Sequence, residues 1–548
     1  MAGAIILVAV FIRPVAGLYC LAFSVPFGSG IETSVGPFFV SITEALVVLT
    51  ALGWIAGLSL RPSTRVFFPP LIWPIVLIVC ALILSLANAR SMSLGLKEII
   101  KWLEVAAVLL MASNLLRGRG DQLTLIIVLL LAAGSQAILG LVQSTFGLGP
   151  AGFLLENGIL RAYGSFGQPN PYAGYLVASA AFGLGLAIGG LGLGGWRQWF
   201  PGAAAISVSS AIVLAGAAAS LSRGAALAFV AAASTFSLRD RRTIAAILLA
   251  SVGALMLIFS GITIALPEAI AARVNVTLEY FRFFDARLVE VTPENWPLVQ
   301  RMALWQSAWY MFLHSPVTGV GAGNFDMAYP YFTLPAWSSF LSGHAHNYYL
   351  NLLAETGIIG LVSYAVFVIW IFIYCLQAFF SGRQTYCLEN RRIASARALP
   401  VPLIGLRFGG EALEACPELC RRGNAGCGNI RPSFRESQGT GYLGSFSSFV
   451  GAPTCRGTVG SRENSSVSLF QPVHEHQPAL GWRGLTMPDY LEMKSLWTNP
   501  SAVAWGVMAS ITALSVHNMF DNLYVHGIPI FVALLLGLLS SVVVSRGR

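Results

Sequence analysis

The chain has 548 residues, of which 56% are hydrophobic and 10% charged, with a net charge of +9. Soluble domains carry about a quarter charged residues, and 22 of the chain's Asp, Glu, Lys and Arg residues crowd into 381–500, so the remainder has too few to cover a water-facing surface. A soluble enzyme and a β-barrel are excluded, and the basic balance reports membrane topology rather than a nucleic-acid-binding domain.

Apolar runs of about 20 residues, the length that crosses a bilayer as helix, predict an all-α polytopic membrane protein. About twelve transmembrane helices are expected, near 1–26, 38–60, 67–87, 94–116, 121–146, 169–192, 201–220, 224–238, 243–266, 346–380, 501–515 and 527–545. Arg13-Pro14 interrupts the first, which counts once. No basic leader or A-x-A site marks a cleavable signal peptide. The chain therefore divides into helices one to nine over 1–266, an external loop over 267–345, helix ten over 346–380, a cytoplasmic insertion over 381–500, and helices eleven and twelve over 501–548.

Arg61, Arg65, Arg117, Arg119, Arg197, Arg239, Arg241, Arg242, Arg546 and Arg548 fall on one side, which the positive-inside rule makes the cytoplasm. Lys97 and Lys101 are exceptions at the outer end of a span, beside Glu98 and Glu104. Loop 147–168, the turn at Ser222-Arg223, loop 267–345 and segment 516–526 then share the outer face. Every polar cluster with chemical potential opens there.

Segment 381–500 is rich in Arg, Gly, Ser and Pro and lacks helical or strand periodicity. Its Cys416, Cys420 and Cys427 with His474 and His476 fit no familiar zinc spacing. It reads as a poorly ordered insertion, or as a stretch whose reading frame is not the functional one, and no catalytic residue is expected in it. Cys20, Cys80 and Cys375 lie in or beside apolar runs and read as packing residues.

Five clusters occupy the outer face. The strongest runs from His344 through Asn347, Asn351 and Glu355 to Gly357 and Gly360, directly into an apolar span. It places His346 in the first turn of a helix, where unpaired N–H groups and the dipole disfavour the imidazolium and leave a neutral base. Capping alone is the competing reading. A metal pair from His344 and His346 is disfavoured, because i and i+2 side chains diverge on a helix and no third ligand is evident. The second cluster is Ser222-Arg223-Gly224, whose arginine either snorkels or forks onto an anionic diphosphate. The third sets Arg301, Trp305 and Trp309 on one face of an interfacial helix, followed by Gly319-Val320-Gly321-Ala322-Gly323; without a preceding strand or a Gly-Lys-Ser/Thr, nucleotide binding is not expected. Arg161–Asn170 and His517–Asn522 either line a pocket or form ordinary interfacial turns.

These residues resemble the O-antigen ligase and O-antigen polymerase superfamily. His346-Asn347, nine residues and Gly357-Ile358-Ile359-Gly360 match its marker, and Ser222-Arg223-Gly224, Arg301-x3-Trp305 and Gly319-Val320-Gly321 follow in family order. Arg161–Asn170 looks like the family's loop before a span. The likeness covers most of 1–380 and 501–548. It departs at Leu361, where ligases often carry a small or aromatic residue, and at 381–500, which replaces a short turn. The resemblance implies a GT-C-like glycosyltransferase of the cytoplasmic (inner) membrane. Its donor is an undecaprenyl-diphosphate-linked glycan and its acceptor a lipid, glycan or protein hydroxyl. His346 would be the base and Arg223, Arg301 and Arg161 the diphosphate cradle, with Asn347, His344, Asn170 and Asp521 in support. Transfer would be inverting, with neither cofactor nor metal. Related carriers make a transporter the alternative from another class, but the polar groups gather at one face and no repeated halves are visible.

Overall fold

The computed structural model describes residues 2–28, 32–35, 38–61, 63–155, 158–191, 196–237, 284–292, 295–334, 337, 343–397 and 498–545. Residues 1–392 with 485–548 form one compact unit, and 393–484 separate from it as a second. The description below concerns the first.

In chain order the helices are α1 (Ala2–Ile12), α2 (Pro14–Ser24), α3 (Ile42–Ser59), α4 (Ile72–Ser85), α5 (Met92–Leu115), α6 (Arg119–Phe146), α7 (Pro169–Leu191), α8 (Trp196–Ala219), α9 (Arg223–Ser237), α10 (Trp296–His314), α11 (Phe325–Phe332), α12 (Tyr348–Arg397), α13 (Pro500–His517) and α14 (Ile528–Val544). A short antiparallel hairpin, Glu32–Val35 with Phe38–Ser41, precedes α3. Sequence determines many of the boundaries. Ser41 Oγ accepts from Glu44 N while Glu44 Oε2 accepts from Ser41 N, a capping box that starts α3. Gly147, at φ 65°, ends α6 in the left-handed conformation that glycine adopts most readily. Asn499 Oδ1 accepts from Ser501 N at the start of α13, with Pro500 in the first turn.

This is a membrane protein. Ile42–Ser59, Arg119–Phe146, Pro169–Gly189 and Tyr348–Phe380 are long and apolar enough to cross a bilayer. Against the twelve expected spans, the described residues hold these four and five shorter apolar helices. The expected span at 243–266 lies outside the described residues. The expected span at 94–116 is the 24-residue α5, which carries Lys97, Glu98, Lys101 and Glu104 and so falls short of an uninterrupted apolar run. Residues 1–26 form two helices of 11 residues, not one, because Arg13 is not helical and Pro14 begins α2. The boundary expected at 380 also shifts: α12 continues as helix to Arg397, so the start of the supposed low-order insertion is helical.

The site depends on how closely α7 and α13 approach. A Cβ on Gly185 would lie 2.5 Å from Gly506 Cα, and one on Gly189 would lie 2.6 Å from Ala502 Cα. Small residues let the two backbones touch, the usual device of helix pairs in membranes. The contact brings the N-terminal end of α7, with Asn170, beside the C-terminal end of α13, with His517 and Asp521. His517 then wedges between Gly174 and Gly224, whose Cβ atoms would both lie about 3 Å from its ring, and so draws in the start of α9.

Candidate active site

His346 does not sit in a helical turn as its sequence context suggests. Asn347 takes the cap instead, its Oδ1 accepting from Tyr349 N and Leu350 N at 3.1 Å each, and α12 begins only at Tyr348. His346 precedes the cap with a left-handed φ of 49°, a conformation that costs a non-glycine residue of order 1–3 kcal/mol. Several bonds hold it there. His346 N donates to His344 Nδ1 at 3.1 Å and Ala345 N to Asn351 Oδ1 at 3.0 Å. Tyr348 N donates to the carbonyls of Asn518 and Asp521. The turn that carries His346 is thereby clamped to the turn that carries Asp521.

The polar residues Asn347, Asn351 and Glu355 of the strongest cluster are therefore consumed in tethering. Asn347 caps, Asn351 holds Ala345, and buried Glu355 accepts from Phe325 N at 3.0 Å. The glycine loop after α10 lies against the same stretch. Val320 N donates to Ala354 O and Gly321 N to Glu355 O, each at 2.9 Å, while Ile358 N donates to Pro316 O. On its other side, Asn88 Nδ2 donates to Thr318 Oγ1 and Gly319 O. This loop thus fastens the end of α10 to α12, and its backbone N–H groups from Gly319 to Asn324 are spent on protein acceptors, Ala322 N on Ser85 Oγ among them, rather than offered to a phosphate.

The clamped turns create a hydrogen-bonded chain. His346 Nδ1 lies 3.0 Å from Asp521 Oδ1, with the carboxylate only 5% exposed. Asp521 Oδ2 accepts from Asn170 Nδ2 at 2.7 Å. Asn170 Oδ1 accepts from Arg161 Nη2 at 3.2 Å, and Arg161 Nε donates to Ser220 O at 2.8 Å. Burial opposes ionisation of Asp521, but its bond and charge interaction with His346, together with Arg301, hold its carboxyl below the usual carboxylate range. An ionised carboxylate accepts the Nδ1 proton and so selects the tautomer whose lone pair is on Nε2. Burial, then the neighbouring His346, pushes His344 down to about 4.

Next to this chain is a cavity of about 110 Å³ lined by Arg161, Asn170, Ser222, Arg223, Arg301 and His517, among others. Burial lowers the pKa of Arg301 and Asp521 opposes this; a guanidinium nonetheless stays charged at neutral pH. Three guanidinium groups lining one small cavity are chemically suited to an anion, because their planar forks match phosphate oxygens.

Arg161, Arg223, Arg301 and Asn170 line the cavity, Asp521 and His346 adjoin through Asn170, and His344 and Asn347 shape the turn. Trp309, expected as a membrane-surface anchor, is 46% exposed on α10. His517, in the cluster that the sequence reading left as either a pocket lining or an interfacial turn, lines the cavity. That reading found no third partner for His344 and His346. The structure corrects this: candidate ligand atoms of His344, His346 and Asp521 lie within 4.8 Å of one another, because the pair occupies a turn rather than a helix.

Residues 208–365 match a family model described as O-antigen ligase. No curated protein matches the chain. The matched stretch holds Arg223, Arg301, His344 and His346, while Arg161, Asn170 and Asp521 join them only through the fold.

Proposed function

We propose that the chain, whose residues 208–365 match the O-antigen ligase family model, is a glycosyltransferase of that superfamily that moves a glycan from an undecaprenyl-diphosphate carrier to an acceptor hydroxyl at the outer face of the cytoplasmic membrane. One observation carries this reading: a His346–Asp521 dyad joined through Asn170 to a cavity edged by three arginines. The flanking arginines on the opposite loops support the outward orientation.

In this mechanism Asp521 holds the Nδ1–H of His346, and Nε2 takes the proton of the acceptor hydroxyl. The acceptor oxygen bonds to the anomeric carbon as the bond from that carbon to the phosphate oxygen breaks. The diphosphate departs with the bonding electrons, and a single displacement inverts the centre. Charge grows on the leaving oxygen, so Arg161, Arg223 and Arg301 bind the transition state more strongly than the ground state. Because these cations neutralise the diphosphate, turnover is expected to survive EDTA.

The test is transfer from a defined undecaprenyl-diphosphate glycan by purified protein, with lipid, glycan and peptide acceptors in separate arms. The productive arm identifies the branch: ligase, polymerase or protein O-oligosaccharyltransferase. His346→Ala should lower turnover on the order of 10²–10⁴-fold, the usual contribution of a positioned base, with donor binding little changed. Near-normal turnover in that variant would sink the mechanism.

A further inference from the structure

We propose that His344, His346 and Asp521 form a binding site for a first-row transition-metal dication of the zinc type, and that its occupancy reversibly blocks the base. The binding half stands on geometry alone; the inhibitory half rests on the glycosyl-transfer reading above.

Candidate ligand atoms of the three residues all lie within 4.8 Å of one another. His346 Nδ1 and Asp521 Oδ1 are 3.0 Å apart. Two ligands about 2.0–2.1 Å from a tetrahedral zinc ion lie about 3.3–3.4 Å apart, so this pair has to open by only a few tenths of an ångström to share an ion in place of a proton. The third ligand has to close in by rotation of the His344 ring, whose centroid is 4.2 Å from that of His346. Such proximity of an i, i+2 pair depends on the left-handed backbone of His346. The second carboxylate oxygen is oriented by Asn170 Nδ2, the kind of outer bond that fixes a metal-ligating carboxylate.

Chemistry decides the class of ion. Two imidazoles and one carboxylate suit zinc, cobalt, nickel or copper, whereas magnesium and calcium prefer all-oxygen sets. Arg301 lies near enough to act on both His344 and Asp521, and its charge opposes a dication. The ion is therefore an exchangeable inhibitor rather than a resident cofactor. Once bound to Nδ1 of His346, the ion shifts the ring proton from Nδ1 to Nε2, the atom that has to take the acceptor's proton, so the dyad is broken and the base is blocked.

The experiment uses the full-length chain without a histidine tag, in lipid nanodiscs. Cobalt titrated as a spectroscopic probe should give one saturable equivalent with ligand-field bands that zinc displaces and magnesium does not. His344→Ala and Asp521→Asn should each weaken that equivalent by at least the order of 10-fold typical even of outer-shell losses. In unsubstituted protein, zinc should also protect His344 and His346 from diethyl pyrocarbonate, read by mass spectrometry, which needs no variant to fold. In the transfer assay zinc should inhibit and EDTA should restore turnover. An equivalent unchanged by both substitutions, or no protection, overturns the site and assigns the ion elsewhere, such as Cys416, Cys420 and Cys427. Binding and protection without inhibition of an active enzyme overturns the inhibitory half. Binding and protection with no transfer under any condition leaves the site standing and sinks the glycosyl-transfer reading instead.

Discussion

Gly357→Ala offers a sharp test of how the site is assembled. Gly357 interrupts α12 with φ 63° and ψ −162°, a region essentially restricted to glycine and costing other residues of order 1–3 kcal/mol. Space is also lacking. A Cβ there would lie 2.3 Å from Val317 O, and one on Gly319 would lie 2.2 Å from the carbonyl carbon of Glu355. The glycine loop and the helix break therefore meet backbone to backbone. An added methyl group pushes the loop away and endangers the bonds from Val320 N, Gly321 N and Ile358 N, each contributing about 1 kcal/mol. The sum is roughly 4–6 kcal/mol. Gly134→Ala on α6 is the matched control, because its Cβ meets nothing within 4 Å and alanine in a helix interior gains about 0.5–1 kcal/mol over glycine. Thermal unfolding in one detergent, followed by intrinsic fluorescence, compares the two. Gly357→Ala should melt well below the parent and Gly134→Ala at or above it. If both melt with the parent, the loop does not bear on that helix break and the account of the site's assembly is wrong.

Arg223→Ala and Arg301→Ala should weaken both donor binding and turnover, with lysine rescuing only partly because an ammonium lacks the bidentate fork; full rescue by lysine in the transfer assay would contradict the cradle. For sidedness, cysteine at exposed Leu288 should react with an impermeant maleimide in intact cells while cysteine at exposed Ser63 should not, and the reverse pattern inverts the topology. Replacing 400–490 by a short Gly/Ser linker should preserve transfer at equal membrane abundance; loss of transfer would make that segment part of the machinery.

Much of this protein is legible in one dimension because its determinants are local. Apolar run length predicts helices, and the starts of α3 and α13 follow from Ser41–Glu44 and Asn499-Pro500. The arginines and histidines of the site stand out because charge amid apolar sequence is costly and so conspicuous. What sequence could not supply was their meeting. Asn170 and Asp521 stand 351 positions apart, and no periodicity links them; they touch because Gly185, Gly189, Ala502 and Gly506 let α7 and α13 pack at backbone distance. Nor could sequence show that His346 lies outside its helix. That follows from competition for the same N–H groups, which the Asn347 side chain wins, and from the Asp521 turn, which accepts Tyr348 N. Hydrogen bonds and steric contact act over a few ångströms in space, whatever the separation along the chain. Tertiary packing alone decided that two unremarkable turns would complete the site.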